Sequence, residues 1–343
     1  MQVPSSEYKA RYWHTLDDGR LQCDLCPRFC RLAEGQRGFC FVRAHRRGRM
    51  VLDTYARAVG LAVDPVEKKP LNHFLPGSKT LSFGTAGCNL GCRFCQNWHM
   101  SNSRETEKLS KIAAPDQIAE AAENTGCDSV AFTYNDPVIF LEYAVDTAIA
   151  CHERGLRTLA VTAGYICEEP RREFFSHMDA VNVDLKAFDD TFYRRLCSGR
   201  LDPVLDTLRY LRHETDVWLE ITTLLIPGMN DSEAEIGALT HWIAEELGQN
   251  IPLHFTAFHP AWRMSDLEAT SLSTLRHARD IAREAGLHFV YMGNRADPDG
   301  AATECPGCGE RLIERLGFSV SRQILKTGGC CPSCGELIPG VFA

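Results

Sequence analysis

An α/β protein built on an incomplete TIM-like barrel of the (β/α)6 type is what three features of the sequence predict. Seven short runs recur through the middle of the chain: TLSFGT, SVAFTY, RTLAVTA, AVNVDL, VWLEITTLL, LHFTAF and LHFVYMG. Most are apolar throughout, as strands of a parallel sheet covered by helices should be. Stretches with helix punctuation separate them, and distinctive polar residues fall where the strands end. Parallel α/β sheets carry their sites at those carboxyl ends. A doubly wound open sheet fits the same pattern and is the alternative.

The chain has 343 residues, enough for one large barrel with small appendages. Residues 1–75 read as a cysteine-rich segment, 76–295 as the barrel and 296–343 as a ribbon-like tail. The helical stretches carry recognisable ends. PDQIAEAAENTG opens with Pro115 and stops at Gly126, and PVIFLEYAVDTAIACHERG opens after Asp136 and stops at Gly155. DSEAEIGALTHWIAEELG runs from Asp231 to Gly248, and SLSTLRHARDIAREAG ends at Gly286.

After the first predicted strand comes Cys88-Asn89-Leu90-Gly91-Cys92-Arg93-Phe94-Cys95. Three thiols in C-x3-C-x2-C spacing can hold three irons of a four-iron–four-sulfur cube and leave the fourth iron for another ligand. Gly91 lets the backbone turn so that the thiols converge. A zinc knuckle is the alternative, but such sites pair cysteines two to four apart and close with four ligands.

The loop, with Phe94 before its last cysteine, resembles the signature of radical S-adenosylmethionine enzymes. Followed by Gln96-Asn97-Trp98, it is similar to the pyruvate-formate-lyase-activating branch. Over nearly its whole length the chain resembles AmmeMemoRadiSam-type enzymes. The resemblance implies a cluster on Cys88, Cys92 and Cys95 and S-adenosylmethionine on its open iron. It further implies reductive cleavage to a 5′-deoxyadenosyl radical, which abstracts hydrogen from a substrate. It also implies a low-potential electron donor such as a flavodoxin or ferredoxin, a protein substrate, and Memo-like and Amme-like companions. A glycyl-radical-enzyme activase is the narrower alternative.

The resemblance also points to cofactor-binding residues at successive strand ends. Asp136, in Thr133-Tyr134-Asn135-Asp136-Pro137, stands where relatives carry a glutamate that meets the methionyl ammonium; it also suits a helix start. Thr162 lies in Val161-Thr162-Ala163-Gly164, where Ala163 replaces an asparagine. Asp184 and Lys186 match an Asp-Leu-Lys pattern and point to one side of their strand; they either pair with each other or bind a zwitterion. Thr222 lies where an arginine can hold the cofactor carboxylate. His254 resembles a histidine near the cofactor, and a hydrogen-bonded core histidine is the competing reading.

Cys23, Cys26, Cys30 and Cys40 form C-x2-C-x3-C-x9-C, able to close a zinc site or hold a second iron–sulfur cluster. The basic run Arg43, His45, Arg46, Arg47 and Arg49 reads as a solvated face. In the tail, Cys305 and Cys308 face Cys331 and Cys334 as two CPxCG knuckles, the spacing of a zinc ribbon.

A net charge of −8 argues against nucleic-acid binding, which needs a basic surface. No run approaches a membrane span, and MQVPSSEYKARYW has no apolar leader region. Sixteen cysteines in CxxC-like groups without such a leader predict metal ligation in a reducing, cytoplasmic setting. From a different class, a non-catalytic scaffold with only structural zinc is the rival; it predicts colourless protein.

Overall fold

Each of the seven runs forms a strand: β1 Lys79–Gly84, β2 Ser129–Phe132, β3 Arg157–Thr162, β4 Ala180–Asp184, β5 Trp218–Leu225, β6 Leu253–Ala257 and β7 Val290–Gly293. They pair in sequence order, every neighbour parallel. The computed structural model describes residues 7–104 and 110–342. The first six residues, part of the stretch read as lacking an apolar leader, lie outside them. Among the described residues no helix is long and apolar enough to cross a membrane.

The expected helices are present as α1 Pro115–Asn124, α2 Leu141–His152, α5 Glu233–Trp242 and α6 Leu272–Glu284. Two further crossovers, α3 Glu168–Ser176 and α4 Asp202–Glu214, complete the series. The cap of α5 lies one residue beyond the Asp231 start read from sequence, the Glu235 N–H donating to Ser232 Oγ (3.2 Å), and α6 is capped by Ser271, whose Oγ accepts from the Thr274 N–H (3.0 Å). Buried Phe83, Phe132 and Tyr143 pack edge to ring where α2 covers β1 and β2.

Beyond β1 the sheet continues differently. Arg57–Pro65, on the amino side of the boundary at residue 76, pairs antiparallel with β1, and Lys111–Ile112 pairs with it in turn. A flat run of seven strands would be about 29 Å wide at ~4.8 Å per gap. One cavity is nonetheless lined by residues at the carboxyl ends of all seven, from Cys88 through Thr133, Thr162, Asn182, Thr222 and Thr256 to Asn294. The sheet therefore curls as a partial barrel.

Beneath that cavity lies a buried polar floor. The Glu220 carboxylate accepts from the Asn72 N–H (3.0 Å), the His73 N–H (2.8 Å), Trp218 Nε1 (3.0 Å) and His254 Nε2 (2.7 Å). Burial alone would raise its pKa; the His254 hydrogen bond and charge hold it below the usual value. Replacing Glu220 with Gln sets an amide N–H against donors, and removing a charge from a buried pair costs about 3–5 kcal/mol. We expect Glu220→Gln to lose about 3 kcal/mol in urea unfolding; a loss within 0.5 kcal/mol, the range of an ordinary surface change, would contradict this account of the floor.

The tail forms a three-stranded antiparallel sheet, Thr303–Glu304, Arg311–Leu316 and Ser319–Gln323. It buries Leu312 and Ile313 against Phe289 and Tyr291. Buried Arg315 ties it to the segment before β1, donating to the Asn72 carbonyl at 2.6 Å, and braces the tail sheet through Thr303 Oγ1 at 3.0 Å. Two small three-stranded sheets make the amino-terminal lobe. The basic run there is not wholly a solvated face. Arg43 and His45 are buried, Arg43 donating to Glu142 Oε2 at 2.5 Å.

Candidate functional site

Local geometry first fixes the cysteine loop. At Gly84 a side chain would put Cβ 2.4 Å from the Thr133 carbonyl and 2.5 Å from Asn135 Oδ1, so the strand can leave β1 here only as glycine. Asn135 then holds the turn. Its Oδ1 accepts from the Thr85 N–H (3.1 Å), and its Nδ2 donates to the Gly87 carbonyl (2.8 Å). Tyr134, at φ +73°, is a left-handed non-glycine residue, a strained conformation that clusters at functional sites. Its carbonyl accepts from Asn97 Nδ2 at 2.9 Å, tying the far end of the loop to the β2 turn.

Cys88, Cys92 and Cys95 all line the cavity, which holds about 270 Å³. Burial, and after it the Asp136 charge, pushes the Cys88 thiol up, against the Leu90 and Asp136 backbone N–H groups. A hydrogen bond to Cys197, then burial, holds the Cys92 thiol well above its usual range. Cys95 is raised by burial and donates to Ser101 Oγ at 3.5 Å. Thiols of this kind ionise when a cation replaces their protons.

Asp136 lines the cavity but is largely committed. Its Oδ1 accepts from the Val138 N–H (3.1 Å) and Thr162 Oγ1 (3.0 Å), and its Oδ2 from the Ala163 N–H (3.0 Å). Thus the helix-start role read from Asp-Pro is realised, and Thr162 acts through Asp136. Burial raises the Asp136 pKa against these hydrogen bonds. Lys186 Nζ donates to Asp184 Oδ2 at 2.9 Å, and both residues line the cavity. Burial would discharge Lys186, but the Asp184 carboxylate more than offsets it and holds the pKa well above normal.

His254 does not line the cavity. It shares the inward face of β6 with Thr256 two residues on, but lies one layer deeper, paired with Glu220 and stacked on Tyr291 at 5.1 Å. The core-histidine reading describes its place.

Two further residues carry a signal that sequence did not expose. Asn182 Oδ1 and Thr222 Oγ1 are buried without a hydrogen-bond partner, and both residues are on the cavity wall. Unpaired buried polar atoms cost about 1–3 kcal/mol each, a cost a bound ligand removes. Cys197 was missed. It closes the π-helical turn Tyr193–Cys197, whose carbonyl accepts from the Gly91 N–H at 2.9 Å; π-turns often mark functional sites.

The tail thiols behave differently. Cys305, Cys308, Cys331 and Cys334 lie within 4.8 Å of one another, with Sγ–Sγ distances of 3.5 and 3.7 Å. They can hold a metal ion.

Residues 83–238 match the family model described as the radical SAM superfamily. An uncharacterized protein of Methanocaldococcus jannaschii is 38% identical over 331 residues, covering 96% of this chain and 98% of that one. The pyruvate formate-lyase-activating enzyme of Clostridium pasteurianum is 26% identical over 57% of this chain and 85% of its own. The crystal structure of Streptococcus suis SuiB bound to precursor peptide SuiA has a TM-score of 0.51 at 18% identity. It covers 67% of this chain and 51% of SuiB, and supports the fold alone.

Proposed function

The chain belongs to the radical S-adenosylmethionine superfamily, and on that premise we propose that the cavity at the strand ends binds the cluster and the cofactor together. The scaffold alternative gives way to an enzyme. When bound, a four-iron–four-sulfur cluster and S-adenosylmethionine supply, on one-electron reduction, a 5′-deoxyadenosyl radical that abstracts hydrogen from the substrate. Everything else is the protein's own work of holding, orienting and excluding water.

The observation that carries the reading is the meeting of three partly buried thiols with two unpartnered polar atoms in one cavity. Cys88, Cys92 and Cys95 would hold the cluster. Lys186 and Asp184 offer opposite charges to a zwitterionic amino-acid end. Thr222 Oγ1 and Asn182 Oδ1 offer hydrogen bonds still unused. Asp136 and Thr162 position the β2 and β3 turns.

Thr222 gives a test with opposite signs. Valine matches threonine in shape and removes an orphaned hydroxyl, so Thr222→Val should leave the protein equally or more stable. Its affinity for S-adenosylmethionine should fall about tenfold, the loss of one hydrogen bond of ~1.4 kcal/mol. Calorimetric titration reads the affinity and thermal unfolding the stability. Unchanged affinity would remove Thr222 from the cofactor site.

The relatives named as activating enzymes favour a protein substrate and a reductant of the flavodoxin or ferredoxin class. Trp98, exposed beside the cavity rim, offers such a substrate an apolar contact. Activation of a glycyl-radical enzyme is the second reading. Incubation with pyruvate formate-lyase, dithionite and S-adenosylmethionine should yield a glycyl radical by EPR if it holds. The resemblance to AmmeMemoRadiSam-type enzymes adds Memo-like and Amme-like companions, which co-purification would test. For the tail we propose zinc: its thiol separations match the ~3.8 Å edge of a tetrahedron with 2.3 Å zinc–sulfur bonds.

A further inference from the structure

We propose that Cys23, Cys26, Cys30 and Cys40 hold a second four-iron–four-sulfur cluster rather than zinc. The four thiols line one enclosed cavity, walled also by Leu25 and Ile139, with almost no polar surface facing it. Cys30 Sγ accepts from the Phe39 N–H at 3.5 Å. Four thiols gathered in a dry cavity bind a cation by giving up their protons to it.

Spacing decides which one. A single zinc ion gathers four sulfurs onto the edges of a tetrahedron of ~3.8 Å, and the tail thiols stand at that separation. Among the described residues only the tail thiols converge within 4.8 Å. The amino-terminal four instead surround a volume. A cubane explains this, because each thiolate binds its own iron and the inorganic core fills the space between.

Charge and placement agree. Buried Arg43 faces Cys23 and Cys40, and Glu142 balances it. The lobe also stands directly behind the first cysteine loop. The Cys40 carbonyl lies where a Cβ on Gly87 would be, and Arg28 donates to the carbonyls of Asn89 and Ser198.

The test is metal content, independent of cofactor cleavage. The variant C88A/C92A/C95A removes the loop ligands and leaves this lobe untouched. After anaerobic reconstitution with iron and sulfide, it should retain about four irons and four sulfides per chain. It should also give a reduced-cluster EPR signal with dithionite. The full chain should hold about eight irons, so the variant falls to half. Folded variant without iron, whether holding a second zinc or no second metal, overturns the proposal. If the variant does not fold, the intact protein decides: about four irons overturn it and about eight support it. A failure of S-adenosylmethionine cleavage would count against the proposed function and leave this measurement standing.

Discussion

Cys92→Ala protein is expected to make 5′-deoxyadenosine at least a thousandfold more slowly than the unaltered chain, a loss on the order of 4 kcal/mol of barrier lowering. Cys92 is the central thiol of its loop and lies on the cavity with Lys186 and Asp184. Two thiolates cannot hold a cube that takes three from this loop, and the hard chemistry belongs to the cofactor pair. The fold should survive. Cys92 is partly exposed, and Cys-to-Ala at such a position costs about 1 kcal/mol. Chromatography of anaerobic reactions reads the product, and circular dichroism checks the fold. Folded Cys92→Ala that still cleaves the cofactor at the unaltered rate would refute the assignment.

Gly87→Ala should be nearly as damaging, for a mechanical reason. Gly87 has φ +89°, and a Cβ there would lie 2.2 Å from the Cys40 carbonyl oxygen and 3.0 Å from Val42 Cγ1. The first contact is with backbone, which has no rotamer by which to withdraw. We expect a loss of about 3 kcal/mol or more, with reduced iron loading, as the loop and the amino-terminal lobe are driven apart. Gly228→Ala is the control. Gly228 has φ +72° with nothing within 4 Å of its Cβ position, so only backbone strain of about 1 kcal/mol should appear. Equal losses in urea unfolding would show that strain, not close approach, governs Gly87.

The seven central strands were legible because a two-faced buried strand is largely apolar, and β1 to β7 are buried on both faces with few polar members such as Asn182, Glu220 and His254. Arg57–Pro65 was not. Gly60, with φ +72°, and a register shift between Val59 and Ala62 break its alternation. α3 is hidden by charge, reading EEPRREFFS. α4 had visible signals, Pro203 near its start and Val204, Leu205, Leu208 and Leu211 on one face, and was overlooked.

For the site, sequence showed ligand types and strand ends but not depth. His254 and Thr256 share a face of β6, yet only Thr256 reaches the cavity. The orphaned atoms of Asn182 and Thr222 exist only in three dimensions, since an unpaired group is defined by its surroundings. Thiol spacing along the chain likewise does not give thiol spacing in space. The tail set reads as two CPxCG knuckles and the amino-terminal set as C-x2-C-x3-C-x9-C, and among the described residues only the tail thiols converge within 4.8 Å.

The most direct test of the central claim is anaerobic: reconstitute the full chain, add dithionite and S-adenosylmethionine, and measure 5′-deoxyadenosine against methionine. The account predicts both products in equal amounts, dependent on the reductant. Intact S-adenosylmethionine in the presence of a loaded, reducible cluster on Cys88, Cys92 and Cys95 would contradict it.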